Sequence, residues 1–128
     1  EAQAPPPQDT EAASAPTLTA EDVTAESMKT LKPEEVARNI EPIKAKVLTL
    51  AKTDPNGALS LAQDCAARAP KVPECHLMLG VVHATLKDFK ASEQSYKTFL
   101  LLTPEGYPKR DLVIKALSKV TQAASQAQ

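Results

Sequence analysis

The sequence has no Trp, two Tyr, two Phe and three Gly among its 128 residues. A chain so poor in aromatics, with Ala, Leu, Lys and Val dominating its second half, favours helices over pleated strands. Gly57, Gly80 and Gly106 stand too far apart to build a phosphate-cradling loop. No run of 18 apolar residues occurs, so no segment is expected to span a membrane as a helix. No charged, apolar, small-residue leader opens the chain, and no nucleophile-elbow or metalloprotease motif appears in it. Glu34, Glu35, Asp88 and Glu93 read as helix starts or solvated faces. The expectation is a non-enzyme, with no catalytic residue and no cofactor.

Charge of one sign is scarce as well. The formal net charge is −1, which conceals an asymmetry: residues 1–32 hold six acids and two bases, and the remainder ten acids and thirteen bases. An excess of three positive charges is far short of what nucleic-acid binding needs, so nucleic acid is not an expected partner. A chain that opens on Glu1 reads as either a processed form or a piece of a longer protein.

What is present divides into two parts. Residues 1–32 are rich in Ala, Pro and Thr, including the run Pro5, Pro6 and Pro7, and are expected to be a disordered arm. Within it Thr19, Glu21 and Asp22 suggest a cap for a short helix over 20–31, with Val23, Met28 and Leu31 as a thin apolar stripe. The folded body is expected over 33–125, starting at Pro33 as a first helical residue. Pro42 predicts a kink or break near Ile40. Helical spacing of Ile43, Val47, Leu50 and Ala51 follows, then the turn residues Asp54, Pro55, Asn56 and Gly57. A second helix ends at Pro70, a third opens at Pro73, and a fourth is capped by Asp88 and stops before Pro104. Leu77, Leu79, Val81, Val82 and Leu86 surround the third helix, which predicts neighbours on both of its faces. A last helix carries Val113, Leu117 and Val120, with Lys109, Lys115 and Lys119 left to solvent.

A shift of 34 residues lays Pro104 over Pro70, Asp88 over Asp54 and Phe99 over Cys65. That period, with Leu79 and Gly80, Asp88 and Phe89, then Tyr96, Leu100 and Pro104, resembles the tetratricopeptide repeat family. Ser92 and Phe99 depart from it, standing where the family has small residues; Phe99 needs a seat under the last helix. The first copy keeps Ala58, Ala62 and Pro70 but has Ala45 and Lys46 in place of Leu-Gly. The resemblance implies an all-α, antiparallel helix-hairpin array: repeats over about 39–72 and 73–106, and a capping helix over about 107–124.

The same resemblance implies a concave surface lined by the first helix of each hairpin. Its positions here are Ile40, Ile43, Val47, Leu50 and Ala51, then Glu74, Leu77, Val81, Ala84 and Thr85. Members of the family that clamp a terminal carboxylate have Lys and Asn where this chain has Ile43 and Val47, so that activity does not carry over. An apolar groove suits a helix or hydrophobic segment of another protein, with Ile43, Val47, Leu50, Leu77, Val81 and Ala84 as the expected contacts. The chain's own segment from Ala20 to Asn39 is the competing occupant. A docking tail of a larger bacterial signalling enzyme such as a kinase, and a self-associating subunit, are the alternative roles.

Cys65 and Cys75 fall at the end of one helix and the start of the next, where stacking would bring them together. An exported protein would join them in a disulfide, and a cytoplasmic one would keep two small buried thiols; the sequence leaves both open. With His76 and His83 they make four candidate zinc ligands, but the spacing is wrong, and the family's aromatic positions account for both histidines.

Overall fold

The computed structural model describes residues 18–126, so the first 17 residues of the expected arm lie outside it. Every regular element among the described residues is helical. A single 3₁₀ turn at Ala20–Asp22 precedes α1 (Ala25–Thr30), α2 (Pro33–Arg38), α3 (Ile40–Thr53), α4 (Pro55–Arg68), α5 (Pro73–Thr85), α6 (Phe89–Leu102) and α7 (Arg110–Gln126).

Each start has a local cause. Thr24 and Ser27 cap α1 reciprocally: the Ser27 amide donates to Thr24 Oγ1 at 3.1 Å and the Thr24 amide to Ser27 Oγ at 2.9 Å. Pro33, Pro55 and Pro73 are the first residues of α2, α4 and α5, where the missing N–H costs nothing. Asp54 and Asp88, 34 residues apart, cap α4 and α6 by accepting from the Gly57 amide at 3.1 Å and the Ala91 amide at 3.4 Å. The break expected near Ile40 falls at Asn39, leaving Pro42 in the first turn of α3, where it displaces no needed donor.

Asn39 does more than separate two helices. Its buried side chain donates from Nδ2 to the Glu35 carbonyl at 2.9 Å and accepts from the Leu18 amide at Oδ1, also at 2.9 Å. Leu18 is thereby tied to the α2–α3 junction. The body was expected to begin at Pro33, but order reaches back to Leu18, and Val23 and Met28 are wholly buried. Residues 18–32 are therefore not linker: α1 packs on α4 and the 3₁₀ turn packs on α3. The thin stripe of Val23, Met28 and Leu31 suffices because it lies on a prepared apolar surface rather than standing alone.

Short connections make α3 to α6 lie back against one another, α3 on α4, α4 on α5 and α5 on α6, while α3 also reaches α5. Two buried clusters result. The larger joins Val23, Met28 and Val36 to Ile43 and Val47 of α3, Leu61 and Ala62 of α4, and Met78 and Val82 of α5. The smaller joins Tyr96 and Phe99 of α6 to Val113 and Val120 of α7, with Leu77 and Val81 of α5 packed against it. Phe99 does find its seat under the last helix, fully buried and meeting the Tyr107 ring edge-on at 5.9 Å between centroids. Between α5 and α6 the approach is so close that a Cβ at Gly80 would collide with the Tyr96 ring. Beside it Ser92 Oγ donates to the Gly80 carbonyl at 2.7 Å, which gives the serine a role a smaller apolar residue could not fill.

Met28→Ala should cost about 2–5 kcal/mol, the usual range for emptying a buried site of that size. Urea denaturation of the full chain checks this; a loss within about 0.5 kcal/mol, as for an exposed residue, would mean that α1 is not part of the core.

Candidate functional site

The side of α5 that faces away from α4 carries Leu77 and Val81, four residues apart and only half-buried. One flank beyond them is formed by Lys44 and Leu48 of α3, and the other by Lys109, Leu112 and Ala116 at the start of α7. Met78, Tyr96 and Val113 complete the lining of a cavity of about 240 Å³. Leu48 is 37% and Leu112 62% exposed, so two large apolar side chains stand at its open sides. An open apolar groove of this kind is the leading candidate for a binding site.

The α7 wall is held by polar contacts rather than by apolar packing alone. Arg110 Nη1 donates to the Leu100 and Thr103 carbonyls, each at 2.9 Å, and to Thr103 Oγ1 at 3.0 Å. One guanidinium nitrogen thus satisfies the orphan carbonyls at the end of α6 and fixes where α7 begins. Tyr107 Oη donates to Glu74 Oε2 at 2.8 Å, tying the connection before α7 to the first turn of α5. Gly106, at φ +87°, supplies the left-handed turn this connection needs. Burial, then the hydrogen bond to Glu74 and its negative charge, push the Tyr107 hydroxyl up to about 12. Burial also raises Tyr96, opposed by its hydrogen bond with Ser92.

The expected contact residues fall in four places. Leu77 and Val81 line the groove. Ile43 and Val47 do not: both are 0% exposed in the larger cluster, and Lys44 and Leu48, one residue on and about 100° around the helix, take the positions assigned to them. The reason is economy of apolar residues. α3 has one strong apolar stripe, and the core claims it. Leu50 sits on another side of α3 beside Ala20 and Glu21, and Ala84 packs on the smaller cluster without lining the groove. The segment from Ala20 to Asn39 does fold onto the body, but on α3 and α4, and no residue before Lys44 lines the groove. There Val23, Met28 and Val36 join the cluster that holds Ile43 and Val47. The family resemblance implied Leu77 and Val81; for the α7 wall the signal was Leu112, an apolar residue off the Val113–Val120 stripe.

Cys65 and Cys75, both fully buried, are joined in a disulfide with their Cα atoms 5.4 Å apart. Neither is then available as a thiolate ligand. His76 Nε2 lies 2.8 Å from the Pro70 carbonyl, and His83 Nδ1 lies 3.9 Å from Asp88 Oδ2. Among the described residues no helix is long and apolar enough to cross a membrane. Comparisons of the chain with family models, with curated proteins and with solved structures find no match.

Closing a loop of ten residues, the disulfide should contribute about 2–3 kcal/mol by the chain-entropy relation. Replacing both cysteines with alanine should lower the unfolding free energy by about that amount, and a reductant should then have no further effect on the variant. For Tyr107 the sign follows from the raised value. The unfolded chain loses the phenolic proton near pH 10 while the folded one keeps it to about 12, so this contribution is intact below pH 10 and disappears as pH climbs through about 12. Tyr107→Phe should remove that part of the alkaline decline in stability, and Glu74→Gln should bring the phenolate absorbance midpoint down toward 10.

Proposed function

We propose that this chain is a protein-interaction module of the helix-hairpin repeat type, binding an apolar segment of another protein in the groove over α5. The observation that carries the reading is the groove itself, apolar in its lining and flanked by the exposed Leu48 and Leu112. The repeat reading is supported by the paired Asp caps at Asp54 and Asp88, by α4 and α6 each running 14 residues, and by Cys65 and Phe99, one period apart and both fully buried. Two hairpins offer a small surface, so affinity is expected in the micromolar range unless neighbouring domains add to it. The disulfide favours work in an oxidising compartment over the reducing cytosol.

The test uses the full chain as bait in an extract of the source cells, beside Leu48→Glu and Leu112→Glu, whose exposure spares the core. Leu101→Glu is the control, since Leu101 is 85% exposed and does not line the groove. A partner retained by the wild type and the control, and weakened tenfold or more by either groove variant, supports docking; equal retention by all four rules the groove out.

A further inference from the structure

The groove's charge is as informative as its apolar floor. Lys44 stands on the α3 wall and Lys109 on the α7 wall, and no carboxylate joins them in the lining. The Lys44 side chain is only 16% exposed, its stem laid along the apolar wall, with Nζ 3.5 Å from a Glu41 oxygen. Glu41 is largely in water, so that pair is weak and open to exchange for a better-placed acid. Lys109 sits at φ +70°, a backbone conformation a lysine adopts only at some cost, and has no ion-pair partner among the described residues. An occupant lying along α5 would meet a positive charge on either side.

Three considerations narrow the occupant. The described residues contain no strand, so no sheet edge offers hydrogen bonds to an extended peptide; a helix brings its own backbone bonds satisfied. The cavity of about 240 Å³ exceeds the roughly 150 Å³ that accommodates a benzene ring, room for about two leucine-sized side chains. Residues 1–17 contain no Leu, Ile, Val, Met or aromatic residue and cannot supply them. A second copy docked groove to groove would set the same lysines against each other, which like charge opposes.

Building on the docking reading above, we propose that the groove takes an acidic amphipathic helix of another protein, its apolar stripe on Leu77 and Val81 and its carboxylates toward Lys44 and Lys109. A phage-displayed library of random peptides about 16 residues long, selected on the full chain, tests this. The expected winners carry apolar residues at helical spacing with Asp or Glu on both flanks, and bind less tightly as salt rises. Lys44→Gln with Lys109→Gln should weaken a winner about twofold to thirtyfold, the worth of two exposed ion pairs, and flatten its salt dependence. Winners with apolar anchors and no acidic preference, lost on Leu48→Glu, would overturn the charge inference and leave the groove reading standing. Winners indifferent to Leu48→Glu and Leu112→Glu, or no winners at all, would overturn both.

Discussion

Helix α5 lies as close to α6 as it does because residue 80 has no side chain. The Tyr96 ring occupies the space a Cβ would take, and the Ser92 hydroxyl closes on the Gly80 carbonyl beside it. Much else depends on that approach. Tyr96 and Phe99, three residues apart on one side of α6, join the cluster that α7 closes with Val113 and Val120, and α7 lies along the groove as its far wall. Moving α5 and α6 apart by the width of a methyl group would disturb the groove floor and the seat of Phe99 together, since close-packed interiors transmit such a change.

The second constraint is scarcity. With few aromatics and only short apolar stripes, the chain cannot both bury a core and leave a broad apolar surface. It resolves this by sharing α5 between two clusters, giving Met78 and Val82 to one side and Leu77 and Val81 to the other. It also recruits Val23 and Met28 from a stretch that composition alone would leave in solvent. The disulfide adds to the larger cluster what its small side chains lack, holding the end of α4 to the start of α5.

The groove follows from the polar contacts at its α7 wall as much as from apolar packing. Arg110 on the carbonyls that end α6, and Tyr107 on Glu74, fix where α7 starts relative to α5 and α6. A helix held this way can flank α5 without collapsing onto it. The start of that wall is thus set in part by backbone groups that must be satisfied at a helix end.

Local chemistry was legible in the sequence. Proline at first positions, aspartate caps, and apolar residues at helical spacing gave the order of the main helices and the break at Asn39, because these depend on neighbours within a few residues. Leu77 and Val81 entered as groove residues through the family resemblance, whereas the all-round apolar pattern of their helix pointed to neighbours on both faces. What only the tertiary structure decided was which apolar stripe is core and which is surface. Ile43 and Val47 repeat at the same spacing a docking face would have, and nothing in a one-dimensional pattern says that α4 and α5 already cover them. Val23 and Met28, likewise, are too sparse to predict burial until the surface that receives them exists. Lys44 and Lys109, on opposite sides of the groove, stand 65 positions apart in the chain, one on α3 and the other in the turn just before α7. Periodicity states which residues share a side of one helix; only packing states what lies opposite.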